Sequence, residues 1–75
     1  MDYPIRSAAD LGERIRERRK ALGYAQARVA SLCGTGTRFI SDLENGKETV
    51  ELGKALAVAL ALGIDVKAEY RGEDR

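Results

Sequence analysis

Between Gln26 and Gly46 the chain sets small, turning and apolar residues at a spacing that few folds can accommodate. The run Gln26-Ala27-Arg28-Val29-Ala30-Ser31-Leu32-Cys33-Gly34 is followed by Thr35-Gly36-Thr37-Arg38-Phe39-Ile40-Ser41-Asp42-Leu43-Glu44-Asn45-Gly46. Ala30 is small where two short crossing helices would approach most closely, and Gly34 stands where their connection needs a residue that tolerates positive φ. Val29, Cys33, Ile40 and Leu43 then share one apolar seam. The spacing predicts helices over Gln26–Cys33 and Thr37–Glu44, the second stopped by Asn45-Gly46.

Two helices crossed in this way make a helix-turn-helix, an arrangement suited to laying one helix in a DNA groove. Net charge is only +1, which is small for a nucleic-acid binder, but its distribution is uneven. From Arg14 to Lys47 there are eight basic residues against three acidic ones, leaving +5 on this part and −4 on the rest. A basic face is therefore available where the crossed helices lie.

The flanking sequence completes a small domain. Residues 1–7, with the only proline, read as an extended arm. Ser7 and Asp10 have the spacing of a capping box, so a first helix is expected over Ala8–Leu22, ended by Gly23. Leu11, Ile15 and Leu22 share its apolar face, and the charges from Glu13 to Lys20 read mostly as its wet side. A fourth helix, Lys54–Leu62, is almost wholly apolar and must be covered on most sides. Gly63 closes it. The period then changes to two: Ile64, Val66, Ala68 and Tyr70 alternate with Asp65, Lys67, Glu69 and Arg71, the pattern of a strand with one apolar face. With no partner strand in the chain, it is expected either to pair with its counterpart in a second protomer or to pack as an extended tail on its own domain. The expected organisation is an arm (1–7), a helix-turn-helix domain (8–63), a dimerisation strand (64–71) and a tail (72–75).

At 75 residues a single core provides only about 3–5 kcal/mol of stability, so a partner surface is expected. The lone Cys33 forms no internal disulfide and, a turn after Val29, reads as core. Without histidine or a second cysteine there is no metal-ligand set, and no cofactor is expected. Nor is there a constellation for catalysis, so the chain is not read as an enzyme. The longest apolar run, Ala55 to Leu62, is far short of a membrane span of ~20 residues. A cytoplasmic location and no membrane partner are expected.

From Leu11 to Leu62 these residues resemble the Xre/Cro-type helix-turn-helix of lambdoid phage repressors, the carriers being Gln26, Ala30, Gly34, Ile40, Leu43 and Glu44-Asn45-Gly46. With Thr49 to Leu52, Ala61-Leu62-Gly63-Ile64 and a terminal strand, the chain looks like the HipB-type antitoxin branch. The resemblance implies a mainly α fold, a lambda-repressor-like bundle of four or five helices with a C-terminal strand pairing across a dimer. It also implies a third helix in the major groove, where Thr37, Arg38, Ser41 and Asp42 would read bases, while Gln26, Thr35, Asn45 and Lys47 would hold phosphates. Arg38 is the sharpest of these, because a guanidinium can donate two bonds to guanine O6 and N7.

The same resemblance implies that Arg19 and Glu44 form a partly buried structural ion pair and that a HipA-type kinase toxin is a partner. The unpaired strand itself makes Val66, Ala68 and Tyr70 the expected dimerisation residues, so the other expected partners are a second copy of the chain and an inverted-repeat operator in double-stranded DNA. The sequence departs from the pattern at three places. Ala25 removes a cap before Gln26, Thr35 replaces an aliphatic residue, and Gly36 weakens the start of the reading helix. Phe39 is open to two roles, contact with a thymine methyl or packing on a dimer neighbour. The expected function is a sequence-specific repressor, an autoregulating antitoxin of a HipBA-type pair. The alternatives are a free-standing Xre-family repressor, a restriction-modification controller, or an interaction module that keeps the scaffold without reading DNA.

Overall fold

The computed structural model describes residues 3–72. The expected arm and tail therefore lie partly outside the described residues, at positions 1–2 and 73–75. Four helices follow in order: α1 (Ala8–Ala21), α2 (Gln26–Cys33), α3 (Thr37–Glu44) and α4 (Leu52–Ala61). No helix is long and apolar enough to cross a membrane.

Local chemistry sets the helix ends. Ser7 caps α1, its hydroxyl accepting from the Asp10 amide at 3.1 Å, while the Asp10 carboxylate accepts from the Arg6 amide at 2.8 Å. The two short helices α2 and α3 have Ala25 and Gly36 as their N-caps, and neither cap makes a side-chain bond. Between them Gly34 takes φ +68°, and the Thr35 amide returns to the Ala30 carbonyl at 2.9 Å, which closes α2 and aims the chain into α3.

The helices bury one continuous core: Leu11 and Ile15 of α1, Val29 and Ala30 of α2, Ile40 and Leu43 of α3, and Ala55, Val58, Ala59 and Leu62 from the α4 region. Tyr24, Cys33, Phe39, Val50 and Ile64 pack around it, half-buried. Close approach of α1 and α3 depends on Gly12, which is buried. A Cβ there would overlap the Leu43 carbonyl oxygen and stand 2.9 Å from that of Glu44.

The structure corrects several expectations. Helix α1 stops at Ala21, and Leu22 becomes its cap. The reversal through Gly23, at φ +78°, takes Leu22 off the buried face and leaves it exposed. Helix α4 starts at Leu52 rather than Lys54, because the Glu51 carbonyl already accepts from the Ala55 amide at 3.0 Å. It ends at Ala61, with Leu62 as cap. Only one side of α4 is covered: Leu52, Leu56 and Leu60 remain exposed. There is no fifth helix and no strand among the described residues. Residues 64–70 carry no regular secondary structure and no ladder, since a strand needs a neighbour to bond and one protomer offers none.

Both extensions leave the bundle near α1. Arg14 lies over the Tyr3 ring, 4.5 Å from its centroid, and Arg18 donates to the Leu62 carbonyl at 2.8 Å. That second bond satisfies one of the open carbonyls at the end of α4 and favours its negative dipole end.

Candidate nucleic-acid interface

The outer side of α3 carries the cationic groups. Arg38 is one residue into the helix, its side chain 88% exposed. Asp42 sits one turn on, with Arg38 Nε at 3.7 Å on one oxygen and Lys47 Nζ at 3.5 Å on the other. Exposed pairs of this kind contribute roughly 0–1 kcal/mol. Either cation can therefore leave Asp42 for a stronger acceptor at little cost. Thr37 is exposed beside Arg38, while Ser41 lies half-buried one turn behind Thr37. The first turns of α2 and α3 also present amides without helical acceptors, at the positive dipole ends.

Behind this surface, Glu44 of α3 gathers donors from α1 and α2. Arg19 of α1 donates from Nε to Oε2 at 2.6 Å and from Nη2 to Oε1 at 3.0 Å. Its Nη1 donates to the Tyr24 carbonyl at 2.8 Å, which ties in the α1–α2 turn. Gln26, the first residue of α2, donates its side-chain amide to Glu44 Oε1 at 3.0 Å. Arg16 adds Nε at 3.5 Å from the same oxygen, and its Nη2 donates to Asn45 Oδ1 at 3.0 Å.

The Glu44 side chain is wholly buried. Burial by itself would raise its carboxyl, but the bonds from Arg19 and Gln26, the Arg19 charge and the Arg16 bond outweigh it and hold the group below the usual carboxylate range. The bond to Glu44 likewise raises Arg19 above its ordinary value, with burial opposing and the Glu44 charge assisting. A carboxylate satisfied this fully acts as a bracket: it fixes the start of α2 and the end of α3 against α1.

The site residues fall into separate groups. Thr37, Arg38, Ser41 and Asp42 share the α3 surface, and Lys47 joins them through Asp42. Gln26 has its side-chain amide turned inward to Glu44, so only its backbone amide, at the start of α2, is left to meet an anion. Asn45 is engaged on both sides, accepting from Arg16 and lying 3.5 Å from the Ser41 hydroxyl through Nδ2. Thr35 is half-buried, its amide spent on closing α2. Val66 and Tyr70 are exposed, as is Ala68, far along the chain from the α3 surface. Sequence reasoning placed Arg16 among solvated charges and missed its part in the bracket. The signal was its position three residues before Arg19, hence on the same face of α1.

Comparison with known proteins agrees with this geometry. The helix-turn-helix family HTH_3 matches residues 15–67. The uncharacterised HTH-type transcriptional regulator y4mF of Sinorhizobium fredii (strain NBRC 101917 / NGR234) is 41% identical over 71 residues, covering 95% of this chain and 93% of that protein. Among solved structures, a HipB variant in an O2 20mer complex superposes with TM-score 0.85 at 21% identity, over 96% of this chain and 100% of the other. The HipA-HipB-O2-O3 complex holds a chain that matches with TM-score 0.84 at 20% identity, over 95% and 100%. At those identities the structural likeness establishes a shared fold. The matched segment contains both crossed helices, the Glu44 bracket beneath them and the exposed cations above. The chain belongs to the HTH_3 helix-turn-helix family and is a DNA-binding transcriptional regulator.

Proposed function

We propose that this regulator is a dimeric, cytoplasmic repressor of its own operon and the antitoxin of a HipBA-type pair, binding an inverted-repeat operator and a HipA-type kinase. The observation that carries the DNA half is the exposed Arg38 at the start of α3, held only by a weak exchangeable contact to Asp42 and backed by a rigid buried bracket. In this reading Thr37, Arg38, Ser41 and Asp42 meet base edges. Lys47, Thr35, Asn45 and the start of α2 at Gln26 face phosphates, where free amides favour an anion. The toxin half is supported by the fold shared with chains of the HipB–20mer and HipA-HipB-O2-O3 complexes.

Dimerisation follows from unmet needs at the C-terminus. The run 64–71 has no backbone partners from a ladder, and Leu56 and Leu60 lie exposed beside Ile64 and Val66. A second protomer would supply strand bonds to the run and cover to the apolar face, with Val66, Ala68 and Tyr70 at the contact.

Selection of bound genomic fragments, followed by sequencing, tests the reading. The expected product is an inverted repeat with half-sites about 34–36 Å apart or a multiple of that distance, bound with an affinity that falls steeply as salt rises. Absence of salt-dependent DNA binding would instead make the chain an interaction module. Co-purification with the product of an adjacent kinase-like reading frame tests the antitoxin assignment. A chain with no such neighbour is a free-standing repressor.

A further inference from the structure

The C-terminal run carries an alternation of charge beside its alternation of polarity. Asp65, Lys67, Glu69 and Arg71 change sign at every second residue. All four are exposed, and none makes an ion pair among the described residues. The run is bounded on both sides by glycines in the left-handed region, Gly63 at φ +78° and Gly72 at φ +76°. A ladder cannot pass such residues without a break. The run also lines a groove with the arm at residues 3–6 and with Arg14, Glu17 and Arg18 of α1.

We propose that the run is a self-recognition strand whose register is set by charge: two copies pair antiparallel about Ala68, with Asp65 opposite Arg71 and Lys67 opposite Glu69. This rests on the dimer reading above and names the register of that same contact. In an antiparallel pair, opposite residues lie on one face, so apolar residues must meet apolar ones and charged residues must meet charged ones. Only shifts by an even number keep that match. About Ala68 every charged pair is of opposite sign, Val66 meets Tyr70, and all seven residues from Asp65 to Arg71 are used.

Moving the centre by one residue, to Lys67 or Glu69, puts like charges opposite each other along the whole run. Moving it by two residues restores charge matching but not length. A centre at Val66 would carry the ladder into Gly63 and the α4 cap, and a centre at Tyr70 would carry it through Gly72. The positive-φ glycines exclude both, so charge and backbone together leave one register. The occupant is a second copy of this chain, because the pattern complements itself when reversed.

Charge reversal in the full-length protein tests the register by sedimentation equilibrium. Lys67→Glu places two acidic pairs across the contact, and Glu69→Lys places two basic pairs. Each variant alone is expected to dimerise about tenfold more weakly than wild type, since each sets like charges opposite one another at two cross-strand positions where opposite charges stood. Mixed together, the two variants are expected to form heterodimers of near wild-type strength, because each glutamate then faces a lysine. A centre at Val66 would leave Glu69→Lys unaffected, opposite Gly63. A centre at Tyr70 would weaken both variants without rescue on mixing. Either result overturns the proposal, as do two variants that dimerise like wild type. A wild-type chain that stays monomeric would overturn the dimer reading itself, which separates the two failures.

Discussion

Arg19 and Glu44 lie 25 residues apart in sequence and are joined along one edge of the guanidinium, Nε to Oε2 at 2.6 Å and Nη2 to Oε1 at 3.0 Å. Both residues are buried. Removing one partner leaves the other charged and poorly solvated, at a cost of about 3–5 kcal/mol. Arg19→Met and Glu44→Gln should each lower the urea midpoint strongly, and the double variant should lose much less than the sum of the two. A double-mutant cycle with coupling near zero would reduce the pair to ordinary surface charges.

The same pair makes stability depend on pH with a defined sign. Because the folded carboxyl of Glu44 titrates below its ordinary value near 4.5, the folded state binds its proton less readily than the unfolded chain. Its stabilisation is complete above that value and is lost as pH falls from there through the folded pKa. Urea titrations from neutral pH down into the acid range should show the difference between wild type and Glu44→Gln shrinking only below the ordinary carboxylate value. A constant difference across that window would place the carboxyl at an unshifted pKa.

Two glycine-to-alanine changes should move stability in opposite directions. Gly53→Ala in α4 meets only the Glu51 carboxylate, 3.8 Å away, so the helix preference of alanine should stabilise by about 0.5–1 kcal/mol. Gly12→Ala gains the same preference but drives a methyl into the α3 backbone carbonyls. Backbone cannot swing aside as a side chain does, so overpacking of about 1–3 kcal/mol or more should win. Thermal melts of the two variants read the sign directly.

On DNA, Arg38 and Lys47 should differ in kind. Arg38→Ala should cost about 1–3 kcal/mol on the operator and relax preference at one base pair, whereas Lys47→Ala should weaken operator and random DNA alike and flatten the salt dependence. Titrations on both DNAs at several salt concentrations distinguish them. Equal losses on the two DNAs for Arg38→Ala would remove it from base reading.

Truncation after Gly63 should lower dimerisation and operator affinity together while leaving affinity for a single half-site nearly unchanged. Ultracentrifugation and half-site titrations measure both. A truncated chain still dimeric at micromolar concentration would assign the interface to α4 and its exposed Leu56 and Leu60.

What the sequence determined by itself was the part governed by neighbours a few residues away. The Ser7–Asp10 cap, the left-handed turns at Gly34 and Gly46, and the bounds of α2 and α3 follow from φ preferences and first-turn amides. The helix-turn-helix family was legible for the same reason, since its spacing is a record of those local demands. What lay beyond a turn or two was decided by tertiary structure. The use of Gly12 shows only where α3 is laid across it, and Leu22 kept helical spacing yet lost its place to the reversal at Gly23. Arg16 joined the Glu44 bracket across 29 residues to Asn45, and the Gln26 amide turned inward across 18 residues to the same carboxylate. Periodicity names the face on which such a side chain lies. Only the crossing of the helices says which charge is waiting there, because a buried carboxylate draws in every donor within reach, whatever its distance along the chain.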